Sequence, residues 1–227
     1  MAKNDFSAES ATNYEQKCLC VLVLDVSGSM AGTPITELNR GLQSFREEIE
    51  KDDSTSQKLE VSLITFSHVV KTVQEPALIE SVTMPTLTAS GSTAMVSAVN
   101  EAISKVQARK DWYKSTGQNY YRPWIILMTD GEPDDGQDVN GLANRIKADA
   151  AAKKYAFLPI GVEGANMSIL NKIAGDIPAM PLRDAQFSQF FKWLSASMAT
   201  VTHGNEGDKI DLPKPEGEFD WMKGFDI

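Results

Sequence analysis

Apolar runs alternate with amphipathic repeats along this chain. Continuous apolar runs at 18–26, 123–131 and 155–162 are typical of strands covered on both faces. Two more strands are predicted in "LEVSLITFS" (59–67), rich in β-branched and aromatic residues, and "HVVKTVQEP" (68–76), which alternates in polarity. Because only a residue or two connects these last two strands, they are predicted to form an antiparallel hairpin.

Between the strands, apolar positions recur in steps of three and four, which predicts helices. The first helix is predicted to begin with Thr33 as its N-cap and Pro34 in its first turn. Its apolar residues are Ile35, Leu38, Leu42, Phe45 and Ile49. Further helices are predicted at 94–114, 139–154, 168–174 and 187–201. Alternating strands and helices predict an α/β fold: a Rossmann-like doubly wound, mostly parallel sheet of about six strands, with one antiparallel edge strand and helices on both faces.

The 227 residues suit one large domain, which is assigned to 17–203. A polar N-terminal extension (1–16) precedes it and an acidic C-terminal extension (204–227) follows. The C-terminal extension has two interpretations. It is either a tail that packs on the domain or is disordered, or a docking segment anchored by Phe219, Trp221 and Phe225.

Composition and charge narrow the classes of function. A hydrophobic fraction of 42% with 23% charged residues is that of a globular protein. The formal net charge of −9, without a basic cluster, disfavours nucleic-acid binding. The N-terminal stretch lacks the apolar core of a secretory signal, and no apolar run is long enough to span a bilayer, so a cytoplasmic location without a membrane partner is predicted. Cys18 and Cys20, at alternate positions of one strand, are predicted to be reduced core residues, with a redox pair as the alternative.

Small polar residues end two of the buried strands. "DVSGSM" follows the first apolar run and "MTDGEP" follows the run at 123–131, and a third small polar loop, "TASGSTAM", precedes the second helix. Ligands of open α/β sheets bind beyond the carboxyl ends of the strands, where the strand order reverses. If the two strands are neighbours there, Asp25, Ser27, Ser29 and Asp130 converge, and the third loop presents Thr93 or Ser92. An all-oxygen set of hydroxyls and carboxylates suits Mg²⁺ and not Zn²⁺.

The same residues carry a family resemblance. Asp25-Val26-Ser27-Gly28-Ser29, with Thr93 in "GST" and Asp130 in "TDG", resembles the metal-ion-dependent adhesion site of von Willebrand factor A domains, and the likeness extends over about 18–201. Four longer stretches, "CLCVLVLDVSGSMAGTPITELNRGLQSF", "YYRPWIILMTDGEP", "AFLPIGVEGANM" and "FFKWLSASM", are similar to the bacterial intracellular branch associated with tellurium resistance, the TerY and YegL-like proteins.

The resemblance implies a bound Mg²⁺, with Mn²⁺ or Ca²⁺ as alternatives, at Asp25, Ser27, Ser29, Thr93 and Asp130. It implies that the three hydroxyls bind the cation directly, that the two carboxylates mostly hold its waters, and that a partner protein supplies a further carboxylate. The implied role is that of a non-enzymatic adaptor or scaffold in a tellurite-resistance or stress-response system that includes a protein kinase and a phosphatase.

The sequence also bears on other functions. A Mg²⁺-dependent hydrolase or phosphatase using the same cation is the alternative. A serine nucleophile is opposed because "DVSGSMAG" lacks the G-x-S-x-G pattern, and because His68, in a predicted hairpin turn, and His203, after the last helix, are poorly placed as bases. "GVEGAN" lacks the glycine spacing of a dinucleotide site.

The acidic loop "DGEPDDGQDVNG" raises the question of a calcium site. Gly141 stands at the twelfth position, where an EF-hand requires Glu, so that interpretation is rejected. Two interpretations of its other acids stay open, an acidic rim around the cation site or a solvated loop. These acids are Glu132, Asp134, Asp135 and Asp138.

Overall fold

The computed structural model describes residues 4–11, 13–182, 186–204 and 213. Its sheet has six strands in the order β3-β2-β1-β4-β5-β6. Every neighbouring pair is parallel except β2 and β3, which form an antiparallel hairpin at one edge. The strands are β1 Cys18–Asp25, β2 Leu59–Phe66, β3 Val70–Leu78, β4 Trp124–Thr129, β5 Ala156–Gly161 and β6 Met180–Pro181. The predicted doubly wound, mostly parallel sheet with one antiparallel edge strand is confirmed.

Helices cover both faces of the sheet. They are α1 Thr33–Ile49, α2 Asp53–Ser56, α3 Met95–Thr116, α4 Val139–Ala151, α5 Met167–Ile173 and α6 Phe187–His203. The core on one face contains residues of α1 and α6, and the core on the other contains residues of α3, α4 and α5. Successive β1 side chains enter opposite cores, Leu22 the first and Val21 the second. This is why β1 is apolar at every position before Asp25 and does not alternate.

Some predicted boundaries were wrong. Thr33 is the first residue of α1, and the N-cap position belongs to Gly32, whose φ of +87° favours glycine. The helix predicted at 139–154 ends at Ala151, because Lys153 adopts a left-handed φ of +50° that a helix cannot continue through. The short elements α2 and β6 were not predicted, since four and two residues carry no periodicity.

Two described residues of the C-terminal extension, Gly204 and Pro213, accept hydrogen bonds from the domain, the first from the Tyr121 hydroxyl at 3.0 Å. The indole Nε1 of Trp193 in α6 donates to the carbonyl oxygen of Pro213 at 2.9 Å. Phe219, Trp221 and Phe225, the predicted anchors, lie outside the described residues. Both interpretations of that extension therefore stay predictions.

The two cysteines lie where the alternation of β1 predicts. Both thiols are free and fully buried on the same face of the sheet, in the core that also contains α6, and the Cys18 sulfur lies 3.9 Å from that of Met198. Burial raises the pKa of Cys18 to about 12 and that of Cys20 well above its usual range. The reactive thiolate is therefore suppressed, and both act as small core residues. Within the described ranges, no helix is both long and apolar enough to cross a bilayer.

Packing between α1 and α6 depends on a glycine. A Cβ added to Gly41 in α1 would lie 2.4 Å from Cδ2 of Phe191 and 3.4 Å from Cβ of Phe187. Phe191 is fully buried, so its ring has no free space into which it can move.

We expect Gly41→Val to lower the free energy of unfolding by about 1–3 kcal/mol, because the added methyl groups overpack this contact. Urea denaturation followed by circular dichroism measures the change. Glu47→Val, at an exposed position of the same helix, is the matched control and should change stability by less than about 1 kcal/mol. Equal effects of the two substitutions would contradict a role for close packing at Gly41.

Candidate functional site

The strands that carry the predicted site residues lie side by side at the centre of the sheet. β1 pairs with β4 in parallel, with Leu24 opposite Met128, so the residues that follow both strands meet at one sheet edge. The chain leaves β1 for α1 on one face and leaves β4 for α4 on the other. The strand order therefore reverses between β1 and β4, and the crevice expected at such a point lies here.

Asp25, the last residue of β1, is the buried centre of the site. Its side chain is fully inaccessible, and both carboxylate oxygens are oriented. Oδ1 accepts a hydrogen bond from the Ser27 backbone N–H at 2.7 Å, and Oδ2 accepts one from the Thr129 hydroxyl at 2.5 Å. Burial raises the pKa of Asp25, the hydrogen bonds from Ser27 and Thr129 oppose that rise, and the nearby charge of Asp130 adds to it.

Two hydroxyls link the β1 end to the β4 end. A 3-10 turn at Gly28–Met30 follows Ser27 and brings the Oγ atoms of Ser27 and Ser29 within 3.0 Å of each other. Ser29 Oγ donates to Oδ1 of Asp130 at 2.7 Å. Ser27 is buried, Asp130 is half-buried and Ser29 is exposed. This row of oxygens therefore runs from the buried Asp25 carboxylate towards solvent.

Thr93 enters the site from the loop before α3. A Cβ built on Gly131 would lie 3.1 Å from Thr93 Oγ1 and 3.5 Å from Asp25 Oδ2, so these two oxygens face the same small space. Any side chain at position 131 would intrude between them. The hydroxyl of Ser92 instead donates to Asp134 Oδ2 at 2.7 Å. Of the two hydroxyls that the sequence left open, Thr93 is the one that faces Asp25.

The loop that carries Thr93 is fastened to the segment that follows β1. The Ser90 N–H donates to the Val26 carbonyl at 2.7 Å, and the Gly28 N–H donates to the Gly91 carbonyl at 2.9 Å. Gly91 has a φ of +85°, and a Cβ there would lie 2.4 Å from Nδ1 of His68. Position 91 therefore requires glycine.

Sequence reasoning missed the residues that hold Thr93 from the other side. Asp134 Oδ1 accepts the Thr93 N–H at 3.0 Å. Gln137 Nε2 donates to the Thr93 carbonyl at 2.7 Å, while its Oε1 accepts the Val96 N–H at 2.8 Å. Thr129, which adjoins Asp130 in the recognised "TDG", could have been found as a residue supporting Asp25, whereas Gln137 stands in no pattern.

The acids after β4 have separate structural contacts. Asp134 supports the Thr93 loop, Asp138 accepts the Gly141 N–H at 2.8 Å at the start of α4, and Glu132 accepts from Asn166 Nδ2 at 2.6 Å. All of them, and Asp135, are exposed. Two of the four are engaged with backbone N–H groups, and the acidic rim and the solvated loop both stay predictions.

The donors present fit a small hard cation. Hydroxyl and carboxylate oxygens are the ligands that Mg²⁺ prefers. Adjacent oxygens of an octahedral Mg²⁺ lie about 3 Å apart, given metal–oxygen distances near 2.1 Å. The spacings of 3.0 Å between the serine hydroxyls and 2.7 Å from Ser29 to Asp130 are close to that value. In the described part of the chain no Lys or Arg forms an ion pair with Asp25 or Asp130.

Histidine, cysteine and further acids do not extend this set. Across the ranges that the structure describes, no group of three or more His, Cys, Asp or Glu side chains is arranged to hold a metal ion. Any cation bound at this edge therefore depends on the three hydroxyls as well as on the two carboxylates.

Comparisons with known proteins agree with the observed fold. A family model described as "von Willebrand factor type A domain" matches residues 20–193. No curated protein matches the chain. The ArnB paralog VWA2 from Sulfolobus acidocaldarius has a similar structure, with a TM-score of 0.55 and 19% identity over 80% of this chain and 45% of that one.

Two pilus proteins are also similar in structure. The pilus adhesin SpaC from Lactobacillus rhamnosus GG gives a TM-score of 0.65 and 14% identity over 82% of this chain and 30% of that one. The vWF domain of the type V pili tip protein Mfa5 from Porphyromonas gingivalis gives 0.57 and 10% over 85% and 98%. At these identities the likeness is one of fold. The chain spans less than half the length of SpaC and of VWA2.

The raised pKa of Asp25 gives a pH dependence that can be measured without metal. Because the folded protein binds the Asp25 proton more tightly than the unfolded chain does, the free energy of unfolding falls as pH rises from about 4 through the raised pKa. In chelator, we expect wild type to lose stability relative to Asp25→Asn as pH is raised from 4 to 7.

Urea denaturation at each pH measures the difference. Asp135→Asn, which neutralises an exposed acid nearby, should follow wild type. Parallel stability curves for wild type and Asp25→Asn would show that the Asp25 pKa is not raised.

Proposed function

We propose that this chain, which belongs to the von Willebrand factor type A domain family, is a metal-dependent protein-binding module. Domains of this family commonly mediate protein–protein interaction or adhesion. The proposed metal is Mg²⁺, with Mn²⁺ or Ca²⁺ as alternatives. Its proposed ligands are Asp25, Ser27, Ser29, Thr93 and Asp130.

One observation carries the proposal most strongly. The Asp25 carboxylate is fully buried with both oxygens fixed, lies near a second acid, and is paired with no Lys or Arg in the described chain. A buried carboxylate without a countercharge is unfavourable. A bound cation would remove that penalty, which gives this arrangement a physical reason to exist.

The hydroxyls and the carboxylates of the site would have different roles, and this difference explains why the module would bind a partner. Ser27, Ser29 and Thr93 would offer neutral hydroxyl oxygens, while Asp25 and Asp130 orient water and the hydroxyls by accepting hydrogen bonds. When bound, the cation supplies a coordination position that takes an anionic oxygen. Ser29 is exposed and Asp130 half-buried, so a carboxylate from another protein would approach along this side.

The proposed setting comes from the sequence likeness alone. Similarity to the TerY and YegL-like branch supports an adaptor or scaffold inside a bacterial cell, in a tellurite-resistance or stress-response system. The partners in that setting would include a protein kinase and a phosphatase.

We propose binding rather than catalysis, because the histidines are poorly situated for proton transfer at this site. His203 ends α6 and lies 3.2 Å from Asp52, and the preceding Thr202 bonds to Thr55 and Lys58, beside the amino end of β2. The His68 ring lies against Gly91, and its described hydrogen-bond partner is the Ser67 hydroxyl at 3.4 Å, not a proposed ligand. Hydrolysis of phosphoesters that requires Mg²⁺ and is lost in Thr93→Ala would favour the alternative, a metal-dependent hydrolase or phosphatase.

Metal binding itself is tested by stability. We expect Mg²⁺ at 100 times its dissociation constant to raise the free energy of unfolding of wild type by about 2.7 kcal/mol. Thr93→Ala and Asp25→Ala should lose most of this gain, because each removes an oxygen from the set. Calorimetric titration with MgCl₂ and thermal unfolding measure both effects.

Ser90→Ala is the matched control. Ser90 lies on the same loop, and its exposed side chain faces no proposed ligand in the described contacts, so the variant should retain the full magnesium response. Wild type that binds no divalent cation at millimolar concentration would contradict the proposal.

Partner binding is tested by affinity capture from the native cell, with and without chelator. We expect one set of proteins to leave when the metal is removed and to be absent from Thr93→Ala captures. Partners retained equally with metal, with chelator and with Thr93→Ala would contradict a contact bridged by the cation.

A further inference from the structure

A second surface lies on the far half of α3, away from the proposed cation site. Its polar groups come from Lys105, Arg109 and Trp112, which we call the α3 outer face. Arg109 lies fourteen residues, or about 21 Å of helix, beyond Met95, the first residue of α3 after the Thr93 loop. Residues 4–11, here the N-terminal segment, lie across this face.

The N-terminal segment meets the α3 outer face with one aromatic ring and several polar groups. The Phe6 ring lies 5.0 Å from the Arg109 guanidinium carbon and packs in a small apolar cluster with Trp112. Glu9 Oε2 accepts from Arg109 Nη1 at 2.5 Å, and the Glu9 carbonyl accepts from Trp112 Nε1 at 3.3 Å. Asn4 Oδ1 accepts from Lys105 Nζ at 2.7 Å.

The α3 outer face is organised by groups other than the segment. Glu60 of β2 accepts from Arg109 Nε and Nη2, each at 2.8 Å, and from the Tyr113 hydroxyl at 2.6 Å. Two nitrogens of the guanidinium, Nε and Nη2, are thus held by Glu60, and the third, Nη1, donates to the segment. Such preorganisation is characteristic of a recognition surface, because the donors lose little freedom when a ligand binds.

The segment is attached through few groups. Phe6 is the only buried side chain among residues 4–11. Burial of one phenyl ring corresponds to a closed-to-open ratio of roughly 10², and the contacts of Glu9 and Asn4 add to it, so the open population is a minor one. Residues closer to β1 are held separately, since the Lys17 N–H donates to the Asn119 carbonyl and the Tyr121 N–H to the Lys17 carbonyl. The segment can leave without disturbing β1.

The α3 outer face also tolerates being uncovered. Without the segment, Arg109 keeps its two bonds to Glu60, and Lys105 keeps Glu75, whose Oε2 lies 2.7 Å from Nζ. No buried charge would lose its last partner. A cover needed only for stability would be served better by apolar residues, since buried ion pairs add little stability over them.

We propose that the α3 outer face is a recognition surface for a partner's peptide segment of the pattern Phe-x-x-Glu, which residues 6–9 of this chain occupy until the partner displaces them. The aromatic ring of such a peptide would stack on Arg109 beside Trp112, and its carboxylate would take Arg109 Nη1. Specificity for a carboxylate follows from Arg109 Nη1, a charged donor that Glu60 does not engage.

The test uses a variant of the full chain in which the N-terminal segment is released from the α3 outer face. Phe6→Ala/Glu9→Ala removes the two main contacts of the segment, and hydrogen exchange of residues 4–9 reports its release. A fluorescent peptide with the sequence of residues 4–11, NDFSAESA, is then titrated and followed by polarisation. We expect the opened variant to bind this peptide at least about tenfold more tightly than wild type, whose own segment competes at high effective concentration.

Matched peptides and variants define the contact. Peptides in which Ala replaces Phe, or Lys replaces Glu, should no longer bind the opened variant. Lys105→Gln in the opened background should weaken binding several-fold, whereas Lys110→Gln, whose Nζ bonds to the Lys154 carbonyl and to no described group of the segment, should not. If the double variant does not fold, Glu9→Gln alone, at an exposed position, gives the same comparison with a smaller difference.

Three results would overturn the proposal. Continued protection of residues 4–9 in the opened variant would show that the segment is not held mainly by Phe6 and Glu9. Release without peptide binding would show that the segment is only a cover. A wild-type dimer that dissociates in the opened variant would identify a second copy of this chain as the occupant.

Discussion

The arrangement at the carboxyl edge of the sheet depends on one buried carboxylate. Asp25 is fully inaccessible, and its two oxygens tie together a turn after β1 and the last residue of β4 through Ser27 and Thr129. Because these contacts join two neighbouring strands, the carboxylate sets the relative position of both strand ends. The burial that fixes the geometry of the carboxylate also makes its negative charge unfavourable. This unpaired buried charge supports the proposal of a cation at this edge.

Most of the fold could be predicted because its signals are long. A strand buried on both faces requires an unbroken apolar run, and β1 and β4 show such runs. The boundaries that were missed depend on single backbone conformations, namely the positive φ of Gly32 and of Lys153, which leave no periodic trace in the sequence. Elements of two or four residues, such as β6 and α2, are too short to be detected in this way.

In the site, too, residues in local sequence patterns could be predicted and residues outside such patterns could not. Its five predicted residues stand in short local patterns at strand ends and in one loop, and the structure brings them together. The residues that support them were missed because they lie far away in sequence. Gln137 donates to the Thr93 carbonyl and accepts the Val96 N–H, and 44 residues separate it from Thr93. Long-range contacts of this kind need the tertiary arrangement, since neither partner is marked by its neighbours in sequence.

The side-by-side placement of β1 and β4 has a consequence for synthesis of the chain. Ser29 and Asp130 touch, yet 101 positions separate them. A nascent chain therefore carries the first half of the site long before its second half leaves the ribosome. The oxygen cluster forms only when β4 has paired with β1, so a truncated product lacks it, and its completeness distinguishes finished domains from unfinished ones.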